Sequence, residues 1–141
     1  QLIDVAADRR TLVATTPGSS MAHQEALRAR GVEVVCVPTE SAGRVDLAAL
    51  LHILSDRGIA SVLVEGGATL SAALLRHYLV DKVLFFVAPK IIGGDGLSVI
   101  GACGVATMEQ VLRLHRLTGR AIGDDFLLEA YMDDRGNDDT G

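Results

Sequence analysis

An uninterrupted apolar run, IASVLV, occupies residues 59–64 and is followed at once by Glu65-Gly66-Gly67 and a helical pattern. Runs of this kind, bounded by glycines and rich in β-branched residues, are typical of a central parallel strand that helices cover on both faces. Because such a strand needs flanking strands and covering helices, this feature restricts the chain to a layered α/β architecture. With 141 residues the chain is long enough for one domain.

The rest of the chain alternates strand and helix signals, separated by breakers such as Pro17-Gly18 and by Gly31 and Gly58. The predicted strands are residues 11–15, 32–37, 59–64 and 83–88, and the predicted helices are residues 21–30, 47–57 and 68 to 78–80. A terminal antiparallel hairpin is predicted over residues 110–132. The alternation predicts right-handed crossovers and a mostly parallel sheet with helices on both faces, ending in the antiparallel hairpin.

Composition argues against several functional classes. Aromatic residues make up 4% of the chain and Trp is absent, which disfavours a stacking surface for single-stranded nucleic acid. The net charge is −5 without a basic stripe, so the electrostatic footprint for duplex DNA is missing. Cys36 and Cys103 are far apart and have no histidine at ligand spacing, so we expect neither a zinc site nor a disulfide.

The sequence predicts neither a membrane span nor a signal peptide. No apolar run is long enough to span a bilayer, and the first residues lack the organisation of a signal peptide. We therefore expect a cytoplasmic protein with no membrane partner. The final segment, DDRGNDDTG, carries four aspartates against one arginine. It predicts a disordered acidic tail over residues 133–141 after a folded domain over residues 1–132.

The turn Glu65-Gly66-Gly67 is the sharpest candidate for chemistry. Gly66 and Gly67 have no Cβ, so a phosphate can approach the backbone, where the helix start offers N–H groups and a positive dipole end. Thr69 can add a hydroxyl donor from the first helical turn. The spacing matches neither the GxGxxG motif of dinucleotide-binding folds nor the GxxxxGK(S/T) motif of P-loops. A tight strand-to-helix turn explains the glycine pair equally well. Glu65 can bind a polar substrate, or it can cap the helix or stay solvated.

Other candidate residues give weaker signals. In the run APKIIGGDG, residues 88–96, Lys90 can hold a phosphate as a point charge, but a surface loop is the better interpretation. The role of the Gly93–Gly96 part of this loop stays open. The four histidines are scattered and have no visible serine or cysteine partner, so neither a nucleophilic triad nor a metal site is predicted.

Residues 62–96, VLVEGGATLSAALLRHYLVDKVLFFVAPKIIGGDG, resemble the reductase domain of the bifunctional riboflavin-biosynthesis deaminase/reductase. The likeness rests on the strand-Glu-Gly-Gly-helix unit, the VDKV link and the APKIIGGDG stop, and flanking segments extend it over most of residues 10–132. It implies a dihydrofolate-reductase-like, three-layer αβα fold. It also implies NADPH-dependent reduction of the ribosylamino group of a pyrimidine ribose phosphate to the ribitylamino form, with the hydride going to C1 of the ring-opened ribose.

The resemblance further implies how the site is divided. Glu65 would contact the substrate. The residues bordering the NADPH diphosphate would be Gly66, Gly67, Ala68, Thr69, Leu70 and Ser71. No catalytic residue is assigned, because the cofactor donates the hydride and the protein supplies orientation and electrostatics. No metal is implied.

Reductase domains of this family begin with a further segment that contributes the first strands and the substrate-phosphate contacts, and residues 1–10 show no counterpart of it. We therefore expect the chain to correspond to the C-terminal part of that domain, with an uncovered edge or apolar face that favours a homodimer. Two alternatives stay open: a non-catalytic dimerisation or cofactor-binding fragment, and another dihydrofolate-reductase-like reductase of a pterin or pyrimidine. The sequence also leaves open whether a deaminase domain precedes it and whether NADPH is preferred to NADH.

Overall fold

The computed structural model describes residues 11–40 and 42–132. It divides into two compact units between Val62 and Leu63, and each unit holds one sheet. The elements of the first unit are β1 (Leu12–Thr15), α1 (Met21–Arg28), β2 (Glu33–Cys36) and α2 (Leu47–Asp56). Those of the second unit are α3 (Ala68–Arg76), β3 (Lys82–Val87), β4 (Leu114–Ile122) and β5 (Asp125–Met132), with 3₁₀ turns at Gly93–Asp95 and Met108–Gln110.

The first unit contains a parallel pair, β1 and β2, joined by α1. Leu12 lies opposite Glu33 at one end of the pair, and the register continues without a break. Parallel strands require a crossover connection, and α1 provides it. The strand-helix-strand unit predicted from the sequence is therefore confirmed, although its helix ends at Arg28 rather than at Arg30.

Local side-chain chemistry sets the ends of α1 and α2. Ser20 and Asp46 are their N-caps, and Asp46 Oδ1 accepts a hydrogen bond from the Ala49 N–H at 3.0 Å. Beyond the C-termini, Gly31 and Gly58 adopt φ values of +78° and +79°. Glycine occupies this left-handed region without the steric cost that a Cβ imposes. Both helix ends follow from residues already recognisable in the sequence.

The second unit contains an antiparallel sheet in the order β3-β5-β4. Val83 lies opposite Ala130, and β4 and β5 form a hairpin that reverses at Gly123. The predicted C-terminal hairpin is confirmed. The β4–β5 register shifts within residues 115–118, where Arg116 adopts a φ of +52°. A bulge of this kind inserts an extra residue and bends the strand.

Helix α3 and strand β5 supply most of the buried apolar side chains of the second unit. The buried residues are Ala72, Ala73, Leu74 and Leu75 on α3, and Leu127, Ala130 and Met132 on β5. In the first unit the buried apolar residues are Val32 and Val37, which flank β2. Burial anchors the middle of α3, so the turn that precedes α3 leads directly into a well-anchored helix.

Residues 59–64 differ from the sequence prediction. They belong to no strand, and neither sheet of the described chain pairs with them. Leu63 is 74% exposed and Val62 is 47% exposed. A strand is held by ladder hydrogen bonds to a neighbour, and an apolar sequence alone does not supply them. The prediction of a paired central strand at these residues is therefore wrong, and parallel pairing in the described chain is confined to β1 and β2.

Strand β3 also differs in its surroundings. The sequence predicts a buried strand over residues 83–88, whereas β3 forms the antiparallel edge of the three-stranded sheet. Phe86 is 64% exposed and Leu84 is 39% exposed. These two residues lie on the same face of the strand, since side chains alternate between faces.

Three further predictions from the sequence concern the acidic tail, the two cysteines and membrane-spanning helices. The predicted acidic tail, residues 133–141, lies outside the described residues. Cys36 and Cys103 are free thiols. Within residues 11–40 and 42–132, no helix combines the length and the apolar character that crossing a membrane demands.

Candidate functional site

The turn that leads into α3 is open and shaped by two glycines. Gly66 and Gly67 adopt φ values of +98° and +82°, a region of backbone conformation that residues with a Cβ rarely occupy. A Cβ placed on Gly66 would meet no atom within 4 Å, and one on Gly67 would meet only the Leu70 Cβ, at 3.9 Å. The two glycines therefore allow the positive φ values of the turn, and they leave the space beside the turn backbone free.

The first turn of α3 presents backbone donors without a side-chain cap. Gly67 is the N-cap residue, and it offers no side chain to accept a hydrogen bond. The first intrahelical bond to it runs from the Ser71 N–H to the Gly67 carbonyl, at 3.0 Å. The N–H groups of Ala68, Thr69 and Leu70 precede that bond and are the donors that every helix start leaves unsatisfied. Together with the positive end of the helix dipole, they form an arrangement suited to an anion.

A second glycine segment supports this turn. The Gly101 N–H donates a hydrogen bond to the Ala68 carbonyl at 2.9 Å. A Cβ on Gly101 would lie 3.0 Å from the Ala68 oxygen and 3.5 Å from the Ala72 Cβ, so only glycine fits without displacement. The sequence alone indicates no role for Gly101. Its signal was one glycine among several in residues 91–104, which no local pattern distinguishes from its neighbours.

Glu65 lies immediately before the glycines, and its side chain is exposed. No side chain caps α3, so Glu65 does not act as the helix cap that the sequence allowed. In the part of the chain that the structure describes, its carboxylate makes no hydrogen bond or ion pair. The carboxylate is thus available to accept hydrogen bonds from a ligand held beside the turn.

The predicted site residues form one continuous stretch, since Glu65 to Ser71 span the turn and the first turn of α3. The absent Cβ atoms and the uncapped amides fit a diphosphate, which is the part of a dinucleotide that binds backbone N–H groups. Lys90 is exposed beside the Gly93–Asp95 turn, in agreement with the surface-loop interpretation of that run. Among the described residues, no group of three or more histidine, cysteine or acidic side chains is placed to hold a metal ion.

The sequence of the chain is similar to those of named proteins. A protein of Actinobacillus pleuropneumoniae named riboflavin biosynthesis protein RibD is 34% identical over 130 residues, which cover 92% of this chain and 34% of the relative. A Methanothermobacter thermautotrophicus protein named 2,5-diamino-6-ribosylamino-4(3H)-pyrimidinone 5′-phosphate reductase is 37% identical over 98 residues, covering 69% of this chain and 44% of the relative. The chain therefore spans between a third and a half of the length of these relatives.

Solved structures show the same fold. Acinetobacter baumannii RibD superimposes with a TM-score of 0.68 at 27% identity, over 86% of this chain and 31% of that one. The Saccharomyces cerevisiae reductase Rib7 also reaches a TM-score of 0.68, at 23% identity, over 94% of this chain and 56% of that one. The α/β, dihydrofolate-reductase-like fold class implied by the resemblance is confirmed. A family model described as the RibD C-terminal domain matches residues 3–128, and the chain belongs to that family.

Proposed function

We propose that the chain carries the cofactor-binding part of an NADPH-dependent reductase of riboflavin biosynthesis. The reaction is the reduction of the ribosylamino group of 5-amino-6-(5-phosphoribosylamino)uracil to the ribitylamino form. The observation that carries the proposal is the open Gly66-Gly67 turn at the uncapped start of α3. The names of the relatives support the reaction class, because one is a riboflavin biosynthesis protein and another a reductase of a ribosylamino pyrimidinone phosphate.

The NADPH diphosphate would lie against residues 66–71, where backbone N–H groups and the helix dipole offset its charge. The Thr69 hydroxyl, exposed in the first helical turn, adds a further donor. Bound there, the cofactor supplies the hydride. The chain's own residues orient it, and the contact from Gly101 to Ala68 holds the turn in place.

Glu65 is proposed to hold the substrate. Its exposed carboxylate adjoins the turn in sequence, so a substrate held by it would lie near a cofactor bound at the glycines. An ionised carboxylate accepts hydrogen bonds from hydroxyl and N–H groups, both of which a ribosylamino pyrimidine carries. Glu65 is a positioning group in this proposal, and no proton transfer is assigned to it.

We also propose that the chain forms a homodimer and that it is cytoplasmic. The exposed apolar residues of the segment 59–64 offer a surface for a homodimer, and they equally favour the alternative of a non-catalytic association fragment. The free thiols of Cys36 and Cys103 suit a reducing compartment such as the cytoplasm.

The decisive experiment is a titration of the 141-residue chain with NADPH, followed by fluorescence. In a Gly67→Asp variant a carboxylate stands where the diphosphate is proposed to lie, and we expect at least a tenfold loss of affinity, about 1.4 kcal/mol. Gly58→Asp is the matched control, because Gly58 has a similar φ of +79° and open space around it. Equal affinity of the Gly67→Asp and wild-type chains would contradict the site. Absence of binding by a folded wild-type chain would instead favour the non-catalytic alternative.

The substrate part is tested separately by turnover of the ribosylamino pyrimidine phosphate with NADPH. We expect Glu65→Gln to lower turnover while leaving NADPH affinity unchanged, since the change removes a charge from the substrate side only. Glu25→Gln, an exposed change on α1, is the control and should behave as wild type. Unchanged turnover in Glu65→Gln would remove the substrate role.

A further inference from the structure

The C-terminal end of α3 carries an unusual residue for its conformation. The Leu79 N–H donates to the Leu74 carbonyl at 3.0 Å and the Tyr78 N–H to the Leu75 carbonyl at 3.1 Å, the paired bonds of a Schellman motif. Tyr78 therefore occupies the left-handed position, with a φ of +53°. Helices α1 and α2 end in the same way, and there the position is held by Gly31 and Gly58, as the motif favours. Tyrosine accepts a strain at this position that glycine avoids.

A cavity of about 320 Å³, open to solvent on one side, lies beside this strained residue, within the second unit. Its polar wall includes Arg76, Tyr78, Cys103 and Gln110, and its apolar wall includes Val105 and Leu112. The volume is near the lower end of the range for small-molecule sites, roughly 300–1,000 Å³. Tyr78 lines the cavity, and strained conformations of this kind concentrate at ligand sites.

The charges and hydrogen bonds around the cavity select its ligand. None of the lining residues is acidic, and in the described chain the Arg76 guanidinium forms no ion pair. Gln110 Oε1 already accepts from the backbone N–H groups of Ala106 at 2.8 Å and Thr107 at 3.3 Å. Its amide NH₂ group is therefore the end left to face a ligand. Among the lining residues, Arg76 supplies one positive charge, the Gln110 amide supplies a donor, and no carboxylate is present.

We propose that this cavity binds a small organic anion, with one carboxylate or phosphate group on an apolar body. Arg76 pairs with the anionic group, Gln110 donates to it, and Val105 and Leu112 contact the apolar body. The negative end of the α3 dipole does not prevent this, because the Leu74 and Leu75 carbonyls are occupied by the Schellman bonds and Arg76 lies in the last turn. The site is distinct from the Gly66-Gly67 turn, which lies at the other end of α3, about 12 Å away along the helix.

The test is an NMR titration of the ¹⁵N-labelled 141-residue chain with benzoate and with phenyl phosphate, and with benzyl alcohol as the neutral match. We expect both anions to shift the amide signals of residues 76–78, 103–105 and 110–112 at millimolar concentration, while those of residues 65–71 stay unchanged. Arg76→Gln should weaken binding at least tenfold, and Arg76→Lys should keep part of it. Arg120→Gln, an exposed change on β4, is the control and should bind as wild type.

A Tyr78→Gly variant separates the effect of backbone strain on stability from the effect of the tyrosine ring on anion binding. We expect its thermal midpoint to rise, because glycine relieves the left-handed strain, while its affinity for both anions falls several-fold through loss of the ring. The proposal is overturned if neither anion shifts these signals, if benzyl alcohol binds as well as the anions, or if Arg76→Gln binds as well as wild type. Retained anion affinity in a stabilised Tyr78→Gly variant would overturn the part assigned to the tyrosine.

Discussion

Two apolar runs, residues 59–64 and strand β3, are both predicted to be strands from the sequence, but only β3 is one in the structure. Strand β3 pairs with β5 along its whole length, whereas residues 59–64 pair with nothing in the described chain. Accordingly Phe85 is half-buried within the sheet and Leu63 is 74% exposed. The difference teaches that β-branched and aromatic residues make a segment able to become a strand, while the partner strand decides whether it does.

The two parts of the candidate site differ in the same way, since one adjoins an anchored helix and the other continues a run that pairs with none of the described strands. Gly66 and Gly67 lead into α3, which is anchored by its buried residues and by the contact between Gly101 and Ala68. Glu65 instead continues the run 59–64, which forms no ladder with any strand among the described residues. Segments with few buried contacts and exposed backbone open with little free energy. The proposed cofactor side is thus more firmly positioned in this chain than the proposed substrate side.

The largest expected difference between the two regions comes from a buried charge. Ala130 in β5 is 1% exposed and lies opposite Val83, so Ala130→Asp places a carboxylate in the core of the sheet. We expect it to lower the free energy of unfolding by at least about 3 kcal/mol, enough to prevent stable folding of the second unit. Ala60→Asp makes the same change in the exposed run and should cost less than about 0.5 kcal/mol in the monomeric chain, where no second copy covers the run. Urea unfolding followed by circular dichroism compares them, and a large cost for Ala60→Asp would mean that residues 59–64 are covered in solution.

How much of the fold could be predicted depends on how local the cause is. The β1–α1–β2 unit, α2 and the C-terminal hairpin were predicted, because caps such as Asp46 and glycines such as Gly58 act within a few residues. That residues 59–64 pair with none of the described strands could not be predicted, since pairing depends on residues distant in sequence. The bulge at Arg116 arises in the same way, from the register of β4 on β5.

The candidate site follows the same rule. The Glu65-Gly66-Gly67 turn is a local feature, so the sequence located it, and its open geometry agrees with an anion site. The contact of Gly101 with Ala68 joins residues far apart in sequence, and the left-handed Tyr78 departs from the glycine that helix ends favour. Neither could be predicted from local pattern. The assignment of NADPH to residues 66–71 and of substrate to Glu65 stays a prediction.

A second pair of variants measures burial without introducing charge. Leu127 is 5% exposed and lies between β3 and β4, so Leu127→Ala should leave a cavity and cost about 2–4 kcal/mol of unfolding free energy. Leu63→Ala removes the same atoms from a side chain that is 74% exposed and should cost less than about 0.5 kcal/mol. Thermal unfolding of both proteins checks this. Similar losses in the two variants would show that residues 59–64 contribute a core contact after all.

A tight contact inside the sheet gives a smaller effect with a sharper signature. A Cβ on Gly119 in β4 would lie 2.5 Å from Phe126 Cε1 and 3.2 Å from Leu128 Cδ2. Gly119→Ala should therefore cost about 1–2 kcal/mol, and most of that cost should disappear in a Phe126→Ala background, where the ring no longer opposes the methyl group. Gly18→Ala is the control, because a Cβ there meets nothing within 4 Å. An unchanged cost in the Phe126→Ala background would mean that the strain arises from the backbone.

The smallest effect expected is electrostatic and depends on pH. Lys82 Nζ lies 2.7 Å from Glu129 Oε1 and 5.3 Å from the centre of the Tyr131 ring, across the β3–β5 pair. The hydrogen bond to Glu129 raises the pKa of Lys82 above its ordinary value of 10.5. A raised lysine pKa contributes stability below pH 10.5 that is lost as the pH rises through the folded-state pKa. Glu129→Gln should therefore be slightly less stable than wild type near neutral pH, and the two proteins should converge above the Lys82 pKa. Because the pair is exposed to solvent, high salt should also reduce the difference, and a difference that persists at alkaline pH would assign it to packing of Glu129 instead.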